Sequence, residues 1–175
     1  NAHNRICRVR GVQLTLWRLC VMGHAAQPQN VGQLSLCSGW GNGGTGNCLT
    51  TLRIASWNIN GLQSKSQGLL QFLQNNSIDI IAIQETKSFN LDFFSNDLHD
   101  AGYDYKFSSP NQINTATIPK HGNCFIYRND LNISLHSPIQ KPSHVSYEIW
   151  ARFIGIKLDD FGIILYSCYF PAVRN

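Results

Sequence analysis

Two short apolar runs separated by one amphipathic segment dominate the pattern of the chain. Ile54-Ala55-Ser56-Trp57 stops at Asn58, and the run from Ile78 to Ile83, interrupted only by Asp79, stops at Gln84-Glu85. Runs this short and this rich in β-branched residues predict buried strands. Between them Leu69, Leu70, Phe72 and Leu73 recur at helical spacing, with Ser64 or Ser66 available as N-cap and Asn75-Asn76 as a stop. Strand, crossover helix and strand make a βαβ unit with parallel strands. That topology brings Asn58 and Glu85 to the same edge of one sheet, where open α/β sheets build sites.

Beyond this unit, Asn90 is placed to cap a short helix from Leu91 to about His99, with Gly102 near its C′ position. Tyr103 to Phe107 reads as a strand, Ser108 to Lys120 as a loop and Gly122 to Arg128 as a strand. The Asn129-Asp130 turn then predicts a hairpin in which Leu131 to Leu135 pairs back. Val145 to Leu158 and Gly162 to Phe170 predict a second antiparallel hairpin about Asp159-Asp160-Phe161. The fold class is α/β, a mixed sheet with flanking helices.

Charge and composition divide the chain. Of its 175 residues, the first 52 contain Arg5, Arg8, Arg10 and Arg18 and no acid, whereas from Arg53 onward ten basic residues balance ten acidic ones. The net charge of +4 therefore belongs to the early segment and does not by itself mark a nucleic-acid partner. That segment also holds the glycine cluster from Gly39 to Asn47, which no apolar helix follows, so a linker is favoured over a phosphate cradle. Residues 1–51 are expected to be a disordered leader or an unrelated segment, with secretory or organellar targeting the lesser readings, and residues 52–175 a partial domain. No cysteine pair has zinc spacing, and Cys124 and Cys168 lie in apolar runs that suit free buried thiols. No stretch has the apolar length of a membrane span, and the composition implies no protein partner.

The motifs SWNINGL at Ser56 to Leu62, IIAIQETK at Ile80 to Lys87, HGNCFIY at His121 to Tyr127 and YSCYFP at Tyr166 to Pro171 occur in this order along the chain. In order and spacing they resemble the endonuclease/exonuclease/phosphatase superfamily. The likeness is to its exonuclease III and apurinic endonuclease branch, including the endonuclease domains of LINE-type non-LTR retrotransposons. The resemblance covers roughly Leu52 to Asn175. It implies the N-terminal half of a four-layer α/β sandwich, truncated, and a Mg²⁺-dependent, or alternatively Mn²⁺-dependent, hydrolase of DNA phosphodiesters acting in the nucleus.

By the same resemblance Asn58, Glu85 and Tyr169 carry catalysis. Glu85 is the metal ligand, a hard carboxylate of the kind Mg²⁺ requires. Asn60 stands where apurinic endonucleases have an aspartate near the metal; being neutral, it is the weaker candidate. Lys87 and Arg174 could meet DNA phosphates, where a cation adds affinity without sequence readout. Taken alone, each of these residues could equally be a strand-end, turn or surface residue. The chain departs from the family pattern at Asn123, where a second glycine is common, and at Ala172, where asparagine follows YxP in many members. The segments that supply the family's remaining aspartates, asparagine and histidine are not found, so this polypeptide alone is expected to be inactive. The rival readings are an incomplete repair-type apurinic endonuclease and a non-catalytic binding module of the same fold.

Overall fold

The computed structural model describes residues 5–9, 12–16, 30–37, 49–88, 90–108, 122–136 and 152–169. In chain order the strands are β1 (Arg5–Val9), β2 (Val12–Leu16), β3 (Asn30–Cys37), β4 (Leu49–Asn58), β5 (Ile80–Gln84), β6 (Tyr103–Ser108), β7 (Asn123–Arg128), β8 (Ile133–Leu135), β9 (Phe153–Leu158) and β10 (Ile163–Cys168). The helices are α1 (Ser66–Asn75) and α2 (Asp92–Asp100). A five-stranded mixed sheet has the order β3-β4-β5-β7-β6, a three-stranded sheet the order β10-β9-β8, and β1 pairs with β2 alone.

The predicted βαβ unit is present. β4 and β5 run parallel with Asn58 opposite Gln84, joined through α1. Leu69 and Leu73 of α1 are fully buried, Phe72 meets Trp57 edge to face at 6.1 Å, and Phe94 and Leu98 anchor α2. Both helices cover one face of the large sheet, against Ala55, Trp57, Ile81, Ile83, Cys124 and Ile126. The opposite face, carrying Leu34, Leu52, Ile80, Ala82, Phe125 and Tyr127, packs on Ile154, Ile156, Leu158 and Ile163 of the small sheet. The described residues thus form three layers: helices, large sheet and small sheet. Every residue of β5 is buried because helices lie on one side and the second sheet on the other, which is why the strand reads as a continuous apolar run. The second apolar face of the large sheet is thus covered, by residues of β9 and β10.

Three expectations change. Leu131 to Leu135 does not pair back on β7; β8 pairs with β9, Ile133 opposite Leu158. The reason is that β5 and β6 already occupy both edges of β7, leaving no ladder for a returning strand. The helix caps also differ. Ser64 lies in a 3-10 turn (Gln63–Lys65), Ser66 is the first residue of α1 and bonds back to the Gln63 carbonyl at 3.2 Å, and neither helix has a side-chain N-cap. Asn90 instead donates to Asp92 Oδ2 at 2.6 Å, while Gly102, at φ +83, closes α2 as expected. Finally, residue 52 marks no break in the sheet: β4 starts at Leu49, β3 pairs along it over eight residues, and Leu34 is buried.

Asp79 explains its place in the apolar run. It accepts from the Arg53 backbone N–H at 2.6 Å and from Arg128 Nη1 at 3.2 Å, tying β4, β5 and β7 together at the end of the sheet opposite Asn58. Cys124 and Cys168 are free thiols, and burial pushes the Cys124 thiol well above its ordinary range. No helix among the described residues is long and apolar enough to cross a membrane.

Candidate active site

The candidate site forms where β4 and β5 end. Beyond Asn58 the chain bends, and three backbone hydrogen bonds stitch the bend to the segment leaving β5: Ile59 N–H to Gln84 O at 3.0 Å, Gly61 N–H to Glu85 O at 2.8 Å and Leu62 N–H to Thr86 O at 2.8 Å. Thr86 N–H in turn reaches Gly122 O at 3.0 Å, joining the start of β7. Holding two chains this close forces unusual backbone angles. Asn60, Glu85 and Lys87 all have left-handed φ, at +48, +53 and +50, and Gly61 sits at +101. For a residue with a Cβ the left-handed region costs roughly 1–2 kcal/mol, so the stitched backbone overrides local preference at three positions.

This strain aims the site. Along the large sheet, Ser56, Asn58, Gln84 and Asn123 share the face that carries Ile80, Ala82 and Phe125 toward the small sheet, by the period of two along each strand. Glu85 has the opposite parity and in regular strand geometry would point to the helix side. Its left-handed φ turns it instead toward that face, where Asn58 Nδ2 donates to Glu85 Oε1 at a long 3.4 Å. The Tyr169 hydroxyl, from just past β10, also bonds Glu85. Burial, then this hydrogen bond, then the Glu85 charge push the Tyr169 phenol up to about 12, against an opposing pull from Arg152. Asn58 is 0% exposed and Glu85 5% exposed, so a carboxylate is held at the sheet ends with little water around it.

Of the residues singled out from sequence, Asn58, Glu85, Tyr169, Asn60 and Lys87 come together. Lys87 Nζ lies 3.8 Å from Glu85 Oε2 and donates a short hydrogen bond to Asn60 Oδ1. Asn60 therefore has its carbonyl oxygen engaged by an ammonium. Arg174, Ala172 and His121 lie outside the described residues.

A hard divalent cation fits part of this donor set. Glu85 offers a carboxylate, and Asn58 Oδ1 is a buried carbonyl oxygen with no hydrogen-bond partner among the described residues. Mg²⁺ accepts one or two such protein oxygens and retains waters for the rest of its shell. The described residues contain no cluster of three or more His, Cys, Asp or Glu side chains able to enclose a metal. Asp79 and Glu85 are their buried acids, and these stand at opposite ends of β5.

The sequence pattern of the Endonuclease/Exonuclease/phosphatase family matches residues 55–166, well over half of the chain. The chain belongs to this family. Among solved structures, an AP endonuclease from Archaeoglobus fulgidus is 25% identical, with 67% of this chain aligned to 40% of that one and a TM-score of 0.49. An AP endonuclease from Leishmania major is 18% identical over 67% of this chain and 40% of its own, at a TM-score of 0.48. A 3'-5' exonuclease from Neisseria meningitidis is 19% identical over 65% and 39%, at 0.45. The chain thus spans about two fifths of the length of these proteins. No curated protein sequence matches it.

Within this family member, sequence reasoning missed the buried polar layer beneath Asn58 and Glu85. Gln84 is 1% exposed and donates from Nε2 to Ser167 Oγ at 2.9 Å, Ser56 Oγ at 3.2 Å and the Ala82 carbonyl at 3.2 Å, so it binds the two sheets to each other. Thr86 Oγ1 and both amide atoms of Asn123 are buried without partners among the described residues. A signal was available: Ser56, Gln84 and Ser167 are polar residues at inward parity within apolar strands.

Proposed function

We propose that this chain carries part of a divalent-metal-dependent, exonuclease III-like DNA endonuclease site. The observation that supports the reading is the buried pair of Asn58 and Glu85 at the ends of adjacent strands, with the partly buried Tyr169 from just past β10 bonded to Glu85, in a chain of the Endonuclease/Exonuclease/phosphatase family. Glu85 and Asn58 Oδ1 would hold Mg²⁺, or Mn²⁺ in its place. A bound divalent ion neutralises phosphate charge and activates a water for phosphodiester hydrolysis. The chain's own contribution is orientation. Asn58 Nδ2 and the Tyr169 hydroxyl donate to Glu85 and fix its plane, and Tyr169 stays protonated at neutral pH, so its one hydroxyl hydrogen remains available for that donation. Lys87 and Arg174 are proposed phosphate contacts.

The 175-residue chain by itself is proposed to be inactive, because a metal-bound water still needs a base and the described residues place no second buried acid beside Glu85. A retroelement origin, supported by the polar loop-rich insertions and the acid-free early segment, is preferred to a repair enzyme, and a nuclear location goes with the DNA substrate.

The test has two arms. Supercoiled plasmid and abasic duplex are incubated with the chain and Mg²⁺, and binding of the duplex is measured with and without the ion. The expected outcome is Mg²⁺-strengthened binding that Glu85→Gln abolishes, and no nicking. Glu85-dependent nicking would overturn the proposed inactivity, and Mg²⁺-independent binding would overturn the metal-centred reading. Nucleotide sequence downstream of Asn175 decides origin: reverse-transcriptase sequence supports the retroelement, and a stop soon after a segment supplying the family's remaining aspartate and histidine supports repair.

A further inference from the structure

We infer that Gln84 is a positioning residue of this site: through Ser167 it fixes the small sheet against the large one at the place where Tyr169 meets Glu85. The inference rests on the reading of Asn58, Glu85 and Tyr169 as one site, and goes beyond it to what brings in the member that comes from the other sheet. The offsets along the chain are short on both sides. Gln84 is the residue before Glu85, and Ser167 stands two residues before Tyr169. Ser167 is buried, and by the period of two along a strand Tyr169 follows it on the face turned to the large sheet. The ladder continues far enough to carry that parity: Cys168 pairs with Phe153, and Tyr169 N–H donates to the Arg152 carbonyl at 3.1 Å, one step further on. The Gln84 Nε2 bond to Ser167 Oγ, at 2.9 Å, is the shortest of three from that amide and the one of the three that leaves the large sheet.

The need for such a tie follows from what else joins the layers. β10 lies at an edge of the small sheet, with β9 as its neighbour. Between the sheets, Leu34, Leu52, Ile80, Ala82 and Phe125 meet Ile154, Ile156, Leu158 and Ile163. Apolar contact of this kind is non-directional and sets no register between the layers. A hydrogen bond between two buried side chains does set one, because it weakens steeply once its geometry is lost. A slip of one residue along β10 would carry Tyr169 about 3.3 Å, further than its hydroxyl can follow Glu85 within hydrogen-bond reach. Apolar side chains of similar shape at both positions would join the layers at nearly the same stability, so what the polar pair adds is direction. Ser56, on β4, engages the same amide from within the large sheet, with Oγ 3.2 Å from Nε2, and supplies an equally buried partner that does not cross to β10.

NMR of the full 175-residue chain tests this without any activity measurement. The readout is the nuclear Overhauser contact between the Tyr169 ring and the Glu85 side chain, with the ring signals assigned through Tyr169→Phe. Ser167→Ala should lose this contact while the amide shifts of α1 and β6 keep their wild-type positions. Ser167→Thr, which puts the hydroxyl back, should keep it. The double variant Gln84→Leu with Ser167→Ala, which joins the layers through apolar side chains, should still lack it. Ser56→Ala removes a buried partner of the same amide without cutting the tie, and should keep the contact whatever it costs in stability. A contact that persists in Ser167→Ala or in the double variant, or that Ser56→Ala abolishes equally, would overturn the inference. Mn²⁺ binding to the same samples, read by electron paramagnetic resonance, tests the reading beneath it. Absence of Glu85-dependent binding would overturn Glu85 as a metal ligand, while a contact that answers to Ser167 and not to Ser56 would still support the tie.

Discussion

Replacing Gln84 with alanine removes the polar tie between the two sheets, and its cost can be worked from the contacts. The side chain is 1% exposed; its Nε2 serves Ser167 Oγ at 2.9 Å and Ser56 Oγ at 3.2 Å, and its Oε1 accepts from Ser56 at 3.4 Å. Ser56 and Ser167 are 0% and 1% exposed, so truncation strands two hydroxyls that no water can reach. Each stranded buried group costs about 1–3 kcal/mol, and rotation of a hydroxyl toward a backbone carbonyl recovers some of that. The expected loss is therefore about 2–4 kcal/mol in urea unfolding followed by tryptophan fluorescence, with an unchanged m-value. Two companions sharpen the test. A double-mutant cycle with Ser167→Ala should give a coupling of about 0.5–2 kcal/mol, as for side chains in direct contact. The triple variant Ser56→Ala, Gln84→Leu, Ser167→Ala should be more stable than Gln84→Ala alone, because donors and acceptors leave together. A loss for Gln84→Ala below about 0.5 kcal/mol, as at an ordinary surface position, or a cycle that is simply additive, would refute the reasoning.

The remaining predictions concern other parts of the framework. Asp79→Ala, which removes the acceptor for Arg53 N–H and Arg128 Nη1, should cost about 1–3 kcal/mol in thermal unfolding while leaving divalent-ion affinity unchanged, since it acts at the far end of β5. Gly155→Ala should destabilise by about 1–3 kcal/mol, because an added Cβ would stand 2.7 Å from the His136 carbonyl and 2.8 Å from the Tyr166 ring; the paired variant Gly155→Ala with Tyr166→Ser should relieve the ring contact and recover part of the loss. The Tyr169 phenol, raised from 10.0 to about 12, stabilises the fold fully below pH 10 and loses that contribution as pH rises through about 12. In phenolate absorbance, Tyr169→Phe should delete this late titration and Glu85→Gln should move it to lower pH; an early titration unmoved by Glu85→Gln would contradict the contact.

How much of this was legible in the sequence differs from element to element, for physical reasons. The βαβ unit and the adjacency of Asn58 and Glu85 could be read because a parallel crossover has essentially one topology, and local apolar spacing gives its three pieces. The partner of β8 could not, since it depends on both edges of β7 being taken, a fact that is not local to the turn. β3 was obscured by composition: the Gly- and Gln-rich, acid-free setting outweighed the alternation around Leu34, a residue that proves buried. The left-handed backbone at Glu85 and Lys87 leaves no trace in residue type, because the hydrogen bonds from Gly61 and Leu62 impose it from another segment. The meeting of Lys87 with Asn60 follows from that imposed geometry and was hidden with it.

The most direct test of Glu85 as the centre of a cation site is a Mg²⁺ titration followed by backbone amide NMR of the 175-residue chain and its Glu85→Gln variant. The prediction is saturable shifts confined to Asn58 to Leu62, Glu85 to Lys87 and Tyr169 in the wild-type chain, and their loss in Glu85→Gln. Shifts that centre instead on exposed acids such as Asp160, and that Glu85→Gln leaves intact, would contradict it.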